Sequence, residues 1–391
     1  MDELFYRVEQ KFKDLFKEDP FTVRSPGRVN LIGEHTDYNE GFVLPGAIDK
    51  AVYFAIAPNY KDESTFFALD LSDVFTFRNT ELFHSDKQWS NYLLGVLDQL
   101  EKIGKPVPGF NCVFGGNIPI GAGLSSSAAL EAGLIFSLNE IFHLGLDGMT
   151  MVKLSQRAEN EFVGVQCGIM DQLINIFGQE KKVLKLDCRT LEFEYVPFED
   201  ESLKVILCDS QVQRELGASE YNLRRSQCEE GVAFLQKYYP DIKSLRDVQP
   251  GMLESHAREM DPVTLKRCSY VVQENQRVLD ACQFLEEDNF AEFGRKMFQS
   301  HEGLRNLYEV SCPELDMLVD GAAAMKGVLG ARMMGAGFGG CTINLVKNTQ
   351  LEYFEEQMER IYRDKLKKQP RMYVSVISSG SEIIKEKVEK F

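Results

Sequence analysis

Apolar and polar positions follow two different periods along the chain, and each period predicts a different kind of element. Near the N-terminus, apolar residues recur every three or four positions, which predicts a helix from residue 2 to about residue 17. The same period predicts further helices at 91–103, 125–142 and 150–162. Short runs of β-branched and aromatic residues predict strands at 51–57, 65–71, 74–77 and 109–116.

The second half of the chain has a different pattern. Strands are predicted at 183–187 and 205–209, and a helical period then dominates from 220 to about 325, with a long segment at 262–287. Strands return at 341–346 and 373–378, with a helix near 350–366 between them. We therefore place a soft boundary near residue 200 and expect two domains, 1–200 and 201–391. They should pack closely, because no Gly/Ser-rich or Pro-rich linker separates them.

Composition and charge narrow the class of protein. The 391 residues include 44 Lys and Arg against 60 Asp and Glu, for a formal net charge of −16, and 44% of them are apolar. This length suits two domains, and this apolar content argues against disorder. A strongly negative chain repels phosphate-rich surfaces, so we expect no nucleic-acid partner and no membrane partner. The net charge does not argue against a local pocket for a phosphorylated ligand.

The N-terminus and the cysteines both argue against export. Residues 1–16 are charged and amphipathic, unlike a signal peptide, and no run reaches the roughly 18 apolar residues that span a bilayer. The nine cysteines are odd in number, scattered and without a C-x-x-C pair. We expect a cytoplasmic protein with free thiols and without a zinc or iron–sulfur site.

A glycine loop followed by serines is the strongest local motif. Residues 115–129 read GGNIPIGAGLSSSAA and lead into the helix predicted at 125–142. Glycines let backbone N–H groups curve around an anion, a helix N-terminus adds unpaired donors, and serine hydroxyls bind phosphate oxygens or Mg²⁺. The loop is not a Walker A motif, because Ala122 stands where lysine is required. It predicts a phosphate site, and a plain turn with Ser125 as the helix N-cap is the alternative.

A second glycine-rich segment lies late in the chain. Residues 335–341 read GAGFGGC and formally match the dinucleotide pattern G-x-G-x-x-G. A dinucleotide loop follows a strand and opens a helix, whereas this segment precedes the strand predicted at 341–346. Two interpretations stay open, a tight structural loop and a loop that closes near a ligand.

The third motif, residues 24–38, combines charged and polar side chains between glycines. It reads RSPGRVNLIGEHTDY. A solvated turn would explain any one of these side chains alone. The whole set supplies the donors and acceptors that a buried polyhydroxylated sugar needs, because each buried hydroxyl requires a partner.

Together the three motifs resemble the galactokinases, a family of the GHMP superfamily of sugar and metabolite kinases. Residues 27–38 match the galactokinase signature, while 121–128 and 335–341 match motifs of the whole superfamily. Shorter matches lie between them at 167–172, 219–221, 224–225 and 310–316. The resemblance implies an α/β fold of the α+β type, in which two domains enclose the active site in the cleft between them.

The resemblance also implies an activity. Galactokinases transfer a phosphoryl group from ATP to the C1 hydroxyl of α-D-galactose, giving galactose 1-phosphate and ADP, the first committed step of galactose use by the Leloir route. Galactose and ATP are then the expected partners, with Mg²⁺ accompanying ATP, and we expect a monomer.

Matching positions in the motifs imply roles for individual residues. Asp171 takes the position of the catalytic base, and Arg28 that of the group that balances charge beside the hydroxyl and the γ-phosphate. The sugar positions are Arg28, Glu34, His35, Thr36, Asp37, Gly168, Asp171 and Tyr221. The ATP positions are Trp89, Tyr92, Gly121, Ala122, Gly123, Leu124, Ser125, Ser126 and Ser127. The Mg²⁺ positions are Ser127 and Glu159.

The expected chemistry follows from the nature of phosphoryl transfer. The reaction depends more on positioning and charge neutralisation than on covalent chemistry. We therefore expect Asp171 mainly to orient the sugar hydroxyl and to accept its proton late in the transfer.

Two stretches depart from the family pattern. Residues 334–337 read MGAG where galactokinases usually carry Thr-Gly-Gly-Gly, and we expect the extra methyl of Ala336 to stiffen the loop. Near residues 209–211, which read DSQ, the family more often has asparagine and threonine.

Two alternatives to galactose phosphorylation stay open. Kinases of N-acetylgalactosamine, arabinose or galacturonate share the first motif, although the length of this chain suits galactokinase better than the longer N-acetylgalactosamine kinases. Catalytically silent sugar sensors also share the fold. The complete SSSAA stretch at 125–129, with Asp171 and Arg28 present, argues against a sensor.

Overall fold

A computed structural model describes residues 3–119, 122–212 and 217–384. The helices are α1 (Glu3–Phe16), α2 (Gln88–Lys102), α3 (Ser126–Phe142), α4 (Gly148–Arg157), α5 (Met170–Phe177), α6 (Gly217–Leu235), α7 (Pro250–His256), α8 (Pro262–Glu286), α9 (Phe290–Gly303), α10 (Pro313–Ala323) and α11 (Leu351–Arg360). The strands are β1 (Phe21–Asn30), β2 (Phe42–Val43), β3 (Pro45–Pro58), β4 (Glu63–Ala68), β5 (Asp73–Arg78), β6 (Phe110–Gly116), β7 (Lys182–Asp187), β8 (Phe193–Pro197), β9 (Leu203–Asp209), β10 (Val328–Met333), β11 (Cys341–Lys347), β12 (Met372–Ser375) and β13 (Glu382–Ile383).

A six-stranded sheet, in the order β13-β1-β3-β6-β4-β5, forms the framework of the first half. Successive residues of a strand point to opposite faces, and β3 buries both. Ala51 and Tyr53 pack against α1 on one face, and Val52 and Phe54 join the main core on the other. The main core also contains the inward face of α3. The sheet is therefore covered by helices on both sides.

The pairing of β1 with β3 contains an irregularity that shapes the site. The register runs antiparallel from Phe21 opposite Ile56 and shifts between Pro26 and Arg28. Proline has no N–H to donate to the ladder, so it favours a bulge at this point. Beyond the shift, the backbone N–H of Arg28 donates to the carbonyl oxygen of Leu124 over 3.2 Å. The bulge thus joins the signature strand to the glycine loop that precedes α3.

Two smaller sheets and a helical layer complete the fold. The order β10-β11-β9-β12 forms a four-stranded antiparallel sheet that packs against α10 and α11. The order β2-β7-β8 forms a three-stranded sheet that packs against α5. Helices α6, α7 and α8 form a separate apolar core. Among the described residues, no helix is long and apolar enough to cross a bilayer.

The two halves of the chain share one core. Leu31 and Ile32, just after β1, lie in the same apolar cluster as Val278 of α8 and Ile343 of β11. The strand β13 returns to the first sheet, where Ile383 pairs with Val23 of β1. The close packing expected from the missing linker is therefore present, while the boundary near residue 200 stays a prediction.

The structure confirms the two-period prediction for most elements and differs at a few. The helix predicted at 150–162 continues from α4 into a π-helical turn at Ala158–Val163, and the helix predicted at 350–366 likewise continues from α11 into one at Ile361–Leu366. The sequence pattern does not predict strand β1, because Pro20 and Pro26 indicate a break in regular structure. It also does not predict the short strands β2, β8, β10 and β13. Residue 2, the predicted start of the first helix, lies outside the described residues.

Candidate active site

Strand β1 and the turn after it bring the signature residues to the wall of a cavity of about 360 Å³. This size suits a small-molecule ligand. The cavity collects seven of the eight predicted sugar positions, namely Arg28, Glu34, His35, Asp37, Gly168, Asp171 and Tyr221. Thr36 is the exception, since it is buried and its Oγ1 lies 2.8 Å and 2.6 Å from the carbonyl oxygens of Gly33 and Phe42. Thr36 therefore shapes the turn rather than the cavity wall.

Arg28 and Asp171 form a bidentate ion pair at the cavity. The Arg28 Nε and Nη2 each donate to a different Asp171 oxygen over 2.8 Å, and Nη1 donates to the carbonyl oxygen of Gly123 over 2.5 Å. Burial disfavours the charge on Arg28, but the negative charges of Asp171, Glu34 and Asp37 together outweigh burial and raise the pKa of the guanidinium. Arg28 thus stays charged beside the glycine loop.

Ser125 joins this pair instead of capping its helix. It occupies the N-cap position of α3 with φ 58°, and its side chain makes no capping hydrogen bond. Its Oγ donates to Asp171 Oδ2 instead. The positive φ turns the hydroxyl away from the helix and toward the carboxylate, so the N-cap alternative fails for the Ser125 side chain.

Glu34 is held by residues from the second half of the chain. Its Oε1 accepts from Arg332 Nη2 over 3.1 Å and from the backbone N–H of Gly335 over 2.8 Å. Burial would raise the pKa of this carboxyl, but Arg332, the Gly335 N–H and Arg28 together lower it. Glu34 therefore remains a carboxylate and binds the third motif to the signature.

The pKa values of the remaining predicted sugar positions are shifted. Burial lowers the pKa of His35 to about 4, so the ring is neutral. Burial raises the pKa of Asp37 to about 6, and the nearby negative charges of Glu34 and Asp171 add to this rise. Burial likewise raises the pKa of Tyr221, which keeps its hydroxyl protonated.

Gly168 lies against Asp37. A Cβ at position 168 would approach Asp37 Oδ2 to 2.9 Å, closer than real Cβ contacts. The absence of a side chain at Gly168 therefore leaves the Asp37 carboxylate room to face the cavity.

A second, more apolar cavity of about 400 Å³ lies on the other side of the glycine loop. Trp89, Tyr92, Ser126 and Ser127 line it. The Trp89 indole is fixed by a 3.0 Å hydrogen bond from Nε1 to Asp73 Oδ2 and by contact with Phe114, at 5.5 Å between ring centroids. The cavity thus brings the predicted aromatic residues to the N-terminus of α3.

The other predicted nucleotide positions lie in the loop between the two cavities. Ala122 and Leu124 belong to this loop, and their side chains are buried in the main core. They therefore contribute only backbone to the surface of the loop. Gly123 has φ 78°, which favours glycine, and its carbonyl oxygen accepts from Arg28. Gly121 lies outside the described residues.

A cluster of buried carboxyl groups lies next to Ser127. Glu159 Oε2 accepts from Gln172 Nε2 over 3.0 Å and from Cys167 Sγ over 3.4 Å. Burial raises the pKa of Glu159, although hydrogen bonds from Cys167 and Ser127 lower it in part. Glu131 is fully buried, its Oε1 has no hydrogen-bond partner, and burial raises its pKa well above the ordinary value. In the described ranges, no three His, Cys, Asp or Glu side chains form a group that could hold a metal ion alone.

Several residues that shape this site were not predicted from the sequence. Arg332 of β10 is fully buried and donates to the carbonyl oxygens of Leu31 and Asn30 as well as to Glu34. Glu274 of α8 is also fully buried, and its Oε1 accepts from the backbone N–H of Gly33 over 3.0 Å. An arginine within the apolar run 328–334 is a signal that sequence reasoning could have used.

Comparison with known proteins supports this description. Three family models match the chain: the galactokinase galactose-binding signature at residues 10–58, the GHMP kinases N terminal domain at 91–179 and the GHMP kinases C terminal model at 281–364. The galactokinase of Roseiflexus sp. is 43% identical over 374 residues, which cover 95% of each chain. The chain belongs to the galactokinase family. The galactokinase of Thermotoga neapolitana is 42% identical over 345 residues, covering 88% of this chain and 95% of the relative.

Solved structures of the galactokinase family and its superfamily agree with the fold. The crystal structure of Lactococcus lactis galactokinase complexed with galactose superposes with a TM-score of 0.91 at 34% identity, covering 97% of this chain and 99% of that one. A mevalonate kinase superposes with a TM-score of 0.63 at 21% identity, which shows a shared fold alone. The protein is therefore a galactokinase-family kinase with the two-domain α/β fold of GHMP kinases, as the motifs predict.

Proposed function

We propose that this protein transfers the γ-phosphoryl group of ATP to the C1 hydroxyl of α-D-galactose, giving galactose 1-phosphate and ADP. The observation that carries the proposal is the Arg28–Asp171 pair, which stands between the sugar-sized cavity and the glycine loop. The solved relative that binds galactose supports the choice of sugar.

Asp171 serves as the proton acceptor in this proposal. Its two oxygens already accept from Arg28 and Ser125, which fixes the direction of the carboxylate. A sugar hydroxyl placed beside it is oriented for attack on the γ-phosphorus and gives up its proton to Asp171 as the new P–O bond forms. The bond between the γ-phosphorus and the bridging oxygen breaks, and that oxygen leaves with ADP. Arg28 stabilises the negative charge that the transferring group carries.

Galactose occupies the 360 Å³ cavity in this proposal. Glu34 and Asp37 supply carboxylate oxygens that accept from sugar hydroxyls, while His35 and Tyr221 supply neutral polar groups. Gly168 leaves room for the sugar beside Asp37. These groups supply the donors and acceptors that buried sugar hydroxyls require.

ATP occupies the second cavity and the glycine loop. Trp89 and Tyr92 flank the adenine, and the backbone of residues 122–127 with the N-terminus of α3 holds the triphosphate. This placement puts the γ-phosphate at Gly123 and Ser125, next to Arg28 and Asp171.

The residues present fit a Mg²⁺ ion bound with the nucleotide. Glu159 is buried next to Ser127, so a carboxylate and a hydroxyl, both oxygen donors of the kind that Mg²⁺ prefers, lie together at the N-terminus of α3. Ser127 and Glu159 would hold the ion. When bound with ATP, Mg²⁺ neutralises the charge on the phosphates.

A sugar panel tests the proposal. Galactose, N-acetylgalactosamine, glucose, arabinose and galacturonate are each incubated with MgATP, ADP release is measured, and the phosphorylated carbon is identified by NMR. We expect galactose to give the highest kcat/KM, with phosphate at C1. Binding of galactose and ATP without ADP release would instead indicate a sensor, and a higher kcat/KM for another sugar would overturn the substrate.

The role of Asp171 has its own test. Asp171→Asn removes the proton acceptor but keeps the shape, so kcat should fall roughly 10²- to 10⁴-fold while ADP binding, measured by calorimetry, stays unchanged. Asp280→Asn is the matched control, because Asp280 pairs with Lys296 at 2.6 Å outside the two cavities, and it should retain turnover. Near-normal kcat in Asp171→Asn would remove Asp171 from this role.

A further inference from the structure

Four aromatic side chains meet at the base of the sugar cavity. His35 and Tyr38 come from the signature turn, Tyr221 from α6, and Tyr308 from the π-helical turn Leu304–Tyr308 that continues α9. The His35 ring lies 4.9 Å from Tyr308, 5.5 Å from Tyr221 and 5.8 Å from Tyr38, measured between centroids. The motifs assign Tyr38 and Tyr308 no contact with sugar or nucleotide.

A continuous line of hydrogen bonds runs through this cluster. His35 Nε2 lies 3.1 Å from the carbonyl oxygen of Ala336, and Nδ1 lies 2.8 Å from the Tyr38 hydroxyl. The Tyr38 hydroxyl lies 2.7 Å from that of Tyr308, which lies 3.3 Å from Cys228 Sγ. The line therefore joins the third glycine motif to α6 through the signature.

The chemistry of its ends fixes the direction of every bond in the line. A carbonyl oxygen only accepts, so His35 Nε2 must carry the proton. In a neutral imidazole Nδ1 then accepts, so Tyr38 donates to it. Tyr38 has one proton, so Tyr308 must donate to Tyr38, and the Cys228 thiol donates to Tyr308. The lowered pKa of His35 agrees with a neutral ring.

We propose that Tyr38 and Tyr308 are positioning residues for sugar binding, whose hydroxyls hold His35 as the Nε2–H tautomer and thereby fix the carbonyl of Ala336 at the cavity wall. His35 and Ala336 both line the sugar cavity. Fixing them before the sugar arrives lowers the ordering cost of binding. The proposal rests on the proposed function for its substrate.

The loop that contains Ala336 has a second anchor in the same region. The backbone N–H of Phe338 donates to the carbonyl oxygen of Val310 over 2.7 Å. Val310 lies two residues after Tyr308 in the sequence. Arg224 of α6 donates through Nε to the carbonyl oxygen of Tyr308 over 2.8 Å. Tyr308 thus lies where the third motif, α6 and the signature converge, although it belongs to none of the three glycine-rich motifs.

The test removes each hydroxyl and keeps each ring. Tyr38→Phe and Tyr308→Phe, singly and together, are assayed for the KM of galactose, the KM of ATP, kcat and thermal stability. Each single change leaves a buried group without its partner, so the galactose KM should rise roughly 5- to 30-fold while the ATP KM stays within about twofold. The double variant should resemble the more affected single one, because both changes interrupt one line.

A spectroscopic measurement reads the tautomer directly. Long-range ¹H–¹⁵N spectra of the imidazole in the sugar-free protein should show the Nε2–H form of His35 in the wild type. In Tyr38→Phe, we expect a mixture of tautomers or a shifted Nδ1 resonance. This readout does not depend on turnover, so it still tests the line if the wild type fails to phosphorylate galactose and the proposed function falls.

Tyr195→Phe is the matched control. The Tyr195 hydroxyl donates to the carbonyl oxygen of Phe177 over 2.8 Å, away from both cavities, so the control also loses one tyrosine hydrogen bond. It should leave the galactose KM unchanged. The proposal would be overturned if the galactose KM were unchanged in both Tyr38→Phe and Tyr308→Phe, or if it rose equally in Tyr195→Phe. An Nδ1–H tautomer of His35 in the wild type would also overturn it. If either Tyr38→Phe or Tyr308→Phe does not fold, the galactose KM of the other variant and the His35 spectrum of the wild type still test the proposal.

Discussion

At the scale of single residues, the site depends on close contacts that leave little freedom to the reacting groups. Asp171 is fixed by Arg28 and Ser125, and Asp37 has room only because Gly168 has no side chain. These contacts arise from three separate segments of the chain. Changes of one methyl group or one proton should therefore be visible in the kinetics.

Gly168→Ala tests the contact with Asp37. The new Cβ would approach Asp37 Oδ2 to 2.9 Å, and the end of that side chain can move, so the fold should survive while the carboxylate shifts. We expect the galactose KM to rise roughly 10-fold or more with little change in Tm. Gly251→Ala is the control, because a Cβ there meets open space in α7. Equal KM values in the two variants would contradict the assignment.

Asp37 also predicts a pH dependence. In its proposed role as an acceptor for a sugar hydroxyl, Asp37 must be ionised, and burial raises its pKa to about 6. The kcat/KM for galactose should therefore fall as pH decreases through about 6, and a pH–rate profile checks this. A flat profile between pH 5 and pH 7 would contradict it.

The same shift predicts the sign of a stability effect. The pKa of Asp37 rises from 3.8 unfolded to about 6 folded, so its ionisation weakens the folded state as pH rises through that window. Asp37→Asn should therefore gain Tm relative to the wild type between pH 4 and pH 6, and the gain should be constant above. Thermal melts without ligands measure it, and a gain that shrinks with pH would contradict it.

At the scale of elements, the third glycine motif shows why one alanine is tolerated. Between residues 335 and 340, every residue except Ala336 has a positive φ, including Phe338 at 57°. The family's Thr-Gly-Gly-Gly pattern is therefore relaxed at the position where a Cβ costs nothing in backbone strain. The stiffening expected from the methyl group stays a prediction.

Gly337 is the opposite case and gives an element-scale prediction. It has φ 87°, and a Cβ there would approach the carbonyl oxygen of Val310 to 2.2 Å. Gly337→Ala should destabilise the protein by at least about 1–2 kcal/mol, while Ala336→Gly costs at most about 1 kcal/mol. Urea denaturation of both variants measures the difference, and equal losses would contradict it.

The sequence predicts an element correctly where the apolar residues keep one period without interruption. The prediction fails where residues that are distant in the sequence determine the backbone conformation. The stripe at residues 2–17 and the run at 262–287 give α1 and α8 almost to the residue. Strand β1 contains a proline at its bulge, and local preference therefore misses a strand that pairing with β3 imposes. The π-helical turns are likewise invisible to a helical period, which does not distinguish them from α-helix.

The residues of the candidate site also fall into a group that local sequence predicts and a group that distant contacts determine. The motifs predict the residues that line the two cavities, because donors, acceptors and glycines cluster in the sequence. They do not predict Arg332, Glu274 or Tyr308, since each acts across more than 200 residues of chain. Thr36 is the opposite case. The motif predicts that it contacts the sugar, but its hydroxyl contacts two carbonyl oxygens in the turn.

At the scale of the whole molecule, Arg332 connects the two halves at the site. Its guanidinium is fully buried and contacts Glu34 and the carbonyl oxygen of Leu31, 301 residues away in sequence. The candidate site is therefore assembled only when the second half has packed onto the first.

Arg332→Met tests this connection. It leaves Glu34 buried without its main partner, so the free energy of unfolding should fall by about 3–5 kcal/mol, measured by denaturant titration. Arg78→Met is the control, because Arg78 pairs with Glu81 on the surface and should cost about 0–1 kcal/mol. A comparable small loss in both variants would contradict the role of Arg332.

The return of β13 to β1 also has a consequence for biosynthesis. Ile383 pairs with Val23, so the outer edge of the first sheet receives its partner 360 residues after β1 is made. On a translating ribosome, β1 therefore emerges long before that partner exists, and its edge is open to other extended chains for the whole interval. A chaperone that shields strand edges would act on this protein mainly before β13 is made.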